Sequence, residues 1–298
     1  MVERGLAGIR QPRRSCWVPS GDELQVFVAT CRQLPVLAEI RVREVSILAS
    51  RGLTLQDAFH IVKADGMMSR SLKDDYLRIL RRAYRDGNVD YYATNSSGPV
   101  RSAMPNTESA ISPYVLRIYR DVVGTVIAAR QPLSVQTISK ILATSEETIR
   151  AALDTIGSII NAPASGDNPV QFYHATAKEF LAGPPHGDEN DRDFFFSDMQ
   201  GAFLALPLLK VLNGNLKRNM ANTPNSIPLG EGSYVIEIPE HVAYAMNHLP
   251  THLDLSSASE ELWGELRLFL TTKLLFWLEL QSEHVSTHVT LTDISTGN

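Results

Sequence analysis

Helix-start signatures ahead of apolar residues at helical spacing constrain this 298-residue chain more than any other feature. Ser20-Gly-Asp-Glu23 and Thr144-Ser-Glu-Glu147 are capping boxes. In each, the hydroxyl accepts the backbone N–H three residues on, and the glutamate reaches back to the first residue's N–H. Ser71-Leu-Lys-Asp74 opens a third helix, in which Leu72, Tyr76, Ile79, Leu80 and Ala83 share one face. Arg78, Arg81, Arg82 and Arg85 fall mostly on the other face and read as a solvated row. Extended segments are short, so the chain reads as mostly α: a helical domain, a winged helix with a small β-wing, then a second helical domain.

Breakers divide the chain. Residues 1–19 hold Pro12, Pro19 and several arginines without an apolar period, and read as a loose N-terminus. Residues 20–92 read as a helical segment, with Pro35 interrupting one apolar stretch and Gly52 stopping the next. Residues 93–111, rich in Ser, Asn, Gly and Pro, read as a linker. Residues 112–185 read as the winged helix, 186–290 as a C-terminal helical domain and 291–298 as a tail. The segment 183–193, which mixes Gly and Pro with acid, marks the boundary between the last two domains, and 221–234 is a further break.

Composition enters where it excludes functions. Two cysteines exclude a disulfide scaffold, and no apolar run reaches the length of a membrane span. Met1 to Arg14 lacks the apolar stretch of a signal peptide, so a cytoplasmic setting is expected. Net charge runs +4 over 1–111, zero over 112–185 and −9 over 186–298. The last segment would repel a phosphate backbone.

The middle segment carries the recognisable order. A helix from Tyr114 to Ala129 precedes a short one started by Pro132-Leu-Ser134. A third helix carries Ile149, Leu153, Ile156 and Ile160 on one side, and Val170-Gln-Phe-Tyr173 is extended before a closing turn. Winged helices often read DNA through the third helix and the wing. Here the third helix holds Glu146, Glu147 and Asp154 against Arg150, and the wing holds Asp167 without Lys or Arg. Base and phosphate contacts need Arg, Lys, Asn or Gln, so no nucleic-acid partner is expected and a DNA-binding regulator is the weaker alternative.

Several motifs then share an order with a known family. Tyr119-Arg-Asp-Val-Val-Gly124, Pro132-Leu-Ser134 and Phe172-Tyr-His-Ala-Thr-Ala-Lys-Glu-Phe-Leu181 resemble the region just after the ATPase core of fungal NACHT-domain NTPases, the NLR-like signal-transduction proteins. Leu208-Leu-Lys-Val-Leu212, Ile238-Pro-Glu-His-Val-Ala-Tyr244 and Leu275-Phe-Trp-Leu-Glu279 resemble its downstream helices. Val26-Phe-Val-Ala-Thr-Cys-Arg32 and the helix from Leu72 resemble the end of the NACHT core. The resemblance covers residues 24–283. It departs at Ala175 and Ala177, where Pro and Phe are usual, and at Asn247-His248, where Trp is absent.

The resemblance implies a signalling role with protein partners. It also implies that His174, in the winged-helix motif, contacts the β-phosphate of ADP. No Gly-Lys dipeptide exists in the chain, so the amide-and-lysine cradle of a phosphate loop is absent. His174 therefore reads as a vestigial ADP contact or as a histidine capping the closing helix. No cofactor is expected, and ADP or ATP would need an NTPase core elsewhere. The expected function is a non-enzymatic regulatory and interaction region, with a nucleotide-dependent switch subunit as the alternative. No metal is expected: His248-x-x-x-His252 contains Pro250, and neither it nor His284-x-x-x-His288 has a nearby cysteine. Cys31 reads as a buried small apolar residue. The last helix, with Trp263, Phe269, Leu270, Leu274, Phe276, Trp277 and Leu278, is apolar nearly all round. It is either buried or a partner surface.

Overall fold

A computed structural model describes residues 2–9, 17–85, 112–165, 168–197, 202–220, 238–253 and 259–282. The 93–111 linker, the 221–234 break, Asp167, His284, His288 and the 291–298 tail lie outside the described residues. The described chain is mostly helical, with one two-stranded sheet among the described residues. It forms two compact units: Met1–Ile127 with Glu147–Ser197, and Ala128–Glu146 with Asp198–Asn298.

The first unit begins with helices α1 (Val2–Ala7), α2 (Gly21–Thr30), α3 (Pro35–Ser50), α4 (Leu55–Met68) and α5 (Leu72–Tyr84). The capping box at Ser20 forms as the sequence predicts: Ser20 Oγ accepts from Glu23 N at 3.2 Å, and Ser20 N donates to the Glu23 carboxylate at 2.9 Å. Ser71 likewise accepts Asp74 N at 3.1 Å. Pro35 starts α3, where its missing N–H costs nothing, and so splits the apolar stretch from 24 to 37 into two helices. The N-terminus is not loose throughout: Val2 and Leu6 of α1 bury against α3 in a core with Phe27, Leu37, Val45, Phe59 and Val62. Phe27 and Phe59 stack at 4.8 Å between ring centres.

Farther along, α6 (Pro113–Ala128), α8 (Glu146–Thr155), strands β1 (Ile160–Asn161) and β2 (Gln171–Phe172), and α9 (Ala175–Ala182) follow. The strands pair antiparallel, Ile160 opposite Phe172. The segment after α9 differs from the boundary expected at 183–193. It folds back as a short 3-10 helix, Glu189–Phe194, and buries Phe194, Phe195 and Phe196. Tyr119 of α6 donates to the Phe194 carbonyl at 2.8 Å, and Phe196 N donates to Leu181 O at 2.8 Å. Three adjacent phenylalanines and the pairing of Asp191 outweigh the Gly, Pro and acid that suggest a boundary.

The second unit holds α7 (Val135–Leu142), α10 (Ala202–Asn215), α11 (Glu240–Leu253) and α12 (Glu260–Leu268), the last continuing through a π turn, Phe269–Lys273, to Ser282. Leu204, Leu208, Leu209 and Leu212 of α10 are buried, and α10 packs against α11, α12 and α7. Thus α7 belongs with the C-terminal helices, and the division between the units runs through residues 112–185. Helix α11 passes through Pro250 and reaches Leu253.

Candidate functional site

His174 sits where β2 gives way to α9. Tyr173 N donates to Ile159 O at 3.1 Å, completing the β turn-back, and α9 begins one residue after His174. His174 is the N-cap residue of α9, but its imidazole makes no cap bond. Instead Nε2 lies 3.0 Å from Oε2 of Glu39 on α3. The other Glu39 oxygen accepts from Arg43 Nη2 at 2.6 Å, one helical turn on. The Arg43 guanidinium carbon lies 3.2 Å from the centre of the Tyr173 ring, and Tyr173 OH reaches Asn161 Oδ1 at 3.3 Å. Helix α9 is held by buried Ala177, Phe180 and Leu181, and by a 2.8 Å hydrogen bond between Thr176 Oγ1 and Tyr76 OH of α5.

This arrangement is a chain of contacts: Tyr173 face, Arg43, Glu39, His174. Its chemistry is that of an anchored imidazole beside a carboxylate. A phosphate brought to His174 would meet the Glu39 carboxylate at hydrogen-bond range and be repelled, unless Glu39 turned away. The His174 imidazole thus lies against the Glu39 carboxylate rather than capping α9. Sequence reasoning missed Glu39 and Arg43. Their i, i+4 spacing on a helix is a readable signal, but nothing in the sequence ties that pair to residues 173 and 174, more than a hundred positions away.

The arginine row of α5 is part-buried and paired rather than a free solvated face. Arg78 bonds Glu44 at 2.6 Å and Asp65 at 3.2 Å, and Arg82 bonds Glu44 at 3.1 Å and also pairs with Asp65. Arg81 and Arg85 converge on Asp191 of the 189–194 turn, Arg85 at 2.9 Å. Beneath them Arg41 and Asp75, both 0% exposed, pair at 3.1 Å. Gly66 makes room for Arg41: a Cβ there would stand 2.5 Å from Nη1. Burial alone would raise the Asp191 carboxyl, but the Arg81 hydrogen bonds, the Asp188 N–H and the charges of Arg81 and Arg85 hold it below the usual carboxylate range. Hydropathy placed these arginines outward. Acids from α3, α4 and 188–191 drew them in.

The remaining candidates resolve individually. Arg150 of α8 donates to the Pro163 carbonyl at 2.8 Å. Cys31 is buried, and burial pushes its thiol up, away from the thiolate that reacts. His252 is buried with Nε2 3.1 Å from Tyr244 OH, and His248 lies against the Tyr244 ring. No group of three His, Cys, Asp or Glu suited to a metal occurs among the described residues. An open, mostly apolar groove of about 980 Å³ lies along α2 and the start of α3, lined by Leu24, Val28, Cys31, Leu34 and Ala38. The run from 260 to 282 exposes Trp263, Leu268, Leu270, Leu275 and Leu278, while Leu262, Phe269 and Leu280 are buried. Among the described residues no helix is long and apolar enough to cross a membrane. Comparison with known protein families, curated proteins and solved structures finds no match.

Proposed function

We propose that this chain is a non-enzymatic regulatory and protein-interaction region of the NACHT-type, NLR-like signalling class, acting without a phosphate loop of its own. In this reading residues 112–185 correspond to the family's winged helix, and its second helix, α7, packs on α10 and α11. The observation that carries the proposal is the Glu39 carboxylate 3.0 Å from His174. It supports the reading of His174 as an internal tie between α3 and α9 in place of the phosphate contact that the family resemblance implies. The exposed apolar face of 260–282, with Trp263 and Leu275, supplies a surface for protein partners.

A second reading, a switch subunit that takes nucleotide with an NTPase core elsewhere, draws on the partial exposure of His174, whose side chain is 31% accessible. Thermal unfolding with and without ADP separates the two. A ligand that binds only the folded state raises the melting temperature by mass action. The first reading expects no ADP shift in the wild type or in His174→Ala, and no ATP turnover by the chain alone. A saturable shift in the wild type that is absent from His174→Ala would favour the switch subunit and overturn the first reading.

A further inference from the structure

Residues 128–146 stand apart in the chain. They pack with the C-terminal helices, while their neighbours in sequence on both sides belong to the other unit. Three attachments hold them to α11. Apolar Leu133, Val135, Ile138 and Ile141 are buried. Ser134 Oγ donates to Glu240 Oε2 at 2.9 Å, and Thr137 Oγ1 bonds the same oxygen. Arg130 N donates to Tyr244 OH at 3.1 Å, and that hydroxyl bonds His252 Nε2 at 3.1 Å.

The face of α11 bearing these contacts is rich in histidine. His241, Tyr244, His248 and His252 recur at spacings near one helical turn. The His248 ring lies 4.7 Å from the Tyr244 ring, centre to centre. We propose that the 128–146 arm is a proton-released latch, docked on α11 while His248 and His241 are neutral and loosened when they take protons.

The charges around the two rings set the sign. Arg130 of the arm is the charged neighbour that bears on His248. His241 lies between Lys140 of the arm, which opposes its protonation, and Glu240 of α11, which favours it. Among the described residues packed on α11, Lys210 of α10 pairs with Glu261, and Trp277 and Gln281 donate to the Met246 carbonyl. Partial burial first, and then the cation of Arg130 or Lys140, hold both imidazoles below their usual range. A base depressed on docking binds more protons when released. Docking is therefore fully favoured above the ordinary imidazole value of about 6.5 and is weakened as pH falls below it.

The test is peptide-level amide hydrogen exchange of the full chain at pH 7.5 and 5.5, corrected for the intrinsic pH dependence of exchange. Peptides covering 130–142 should lose protection at pH 5.5, while peptides from α3 to α5 keep theirs. His248→Gln with His241→Gln should abolish the pH-dependent part of that loss. Arg130→Gln, which keeps the backbone N–H to Tyr244, should reduce it without removing the histidines, and serves if the double variant fails to fold. Equal protection of 130–142 at both pH values, or a loss shared by α3 to α5, would overturn the latch. So would a loss undiminished in the variants.

Discussion

Helix α5 and the helical run from 260 to 282 reverse each other's expectations. The first carries three arginines, with Arg85 at its C-cap, and the structure draws them into part-buried pairs with Glu44, Asp65, Asp188 and Asp191. The second carries leucines and tryptophans, and leaves Leu275 76% and Trp263 57% exposed. Polarity alone sorts neither helix. An arginine goes inward when several acids from other segments converge on it, because burying a charge is tolerable only when it is paired. A leucine stays outward when no described element lies over its face. The first region is closed by charge and the second is left open by apolar surface, so the two should respond oppositely to substitution.

The largest effect is expected at the centre of the closed region. Asp75→Ala would strand the fully buried Arg41 guanidinium, whose Nε and Nη1 already lack partners, and should cost about 3–5 kcal/mol in denaturant unfolding. The double replacement Arg41→Met with Asp75→Leu should recover most of that loss. If the single variant costs under ~1 kcal/mol, charge closure is not what holds this region.

Gly187 tests the turn that carries Asp191 to α5. Its φ is +95°, and a Cβ there would stand 2.3 Å from Asp191 Oδ2 and 2.6 Å from Leu77 Cδ2. Gly187→Ala should destabilise by more than about 1 kcal/mol, read by thermal unfolding. A neutral result would mean that the 183–197 segment is not fixed against α5.

Acid titration sharpens the same contrast. The Asp191 carboxyl is held below the range it has in an unfolded chain. Its contribution is therefore complete above about pH 4 and is lost as pH falls further. Stability measured between pH 5 and pH 2 should fall less steeply in Arg81→Gln than in the wild type. A parallel fall would show that the Arg81–Asp191 pair contributes nothing.

Smaller still is the expected cost of His174→Ala, about 1 kcal/mol or less, since it removes one half-exposed contact to Glu39. The smallest effect belongs to the open region. Leu275→Gln should change stability by no more than about 0.5 kcal/mol, because the residue is mostly solvated already. A large destabilisation there would show that this face is covered within the chain.

Local physics was written in the sequence. The capping box at Ser20, the start of α5 at Ser71 and the stop of α3 before Gly52 follow from hydrogen bonds and backbone conformation within a few residues, so sequence alone determined them. So did the mostly helical class, the short extended segment at 171–172 and the closing helix after His174. What the tertiary structure decided was which distant groups meet. Glu39 facing His174, Asp191 between Arg81 and Arg85, and Asp75 beneath Arg41 each join residues 34 to 135 positions apart. The pairing of β1 with β2, the return of Phe194–Phe196 onto α6 and α9, and the docking of α7 with α10 and α11 are of the same kind. A hydrophobic period states that a face is buried, and a charge states that it needs a counter-charge or water. Neither names the partner, because burial energy depends on area and pairing on distance, and only the folded chain sets both.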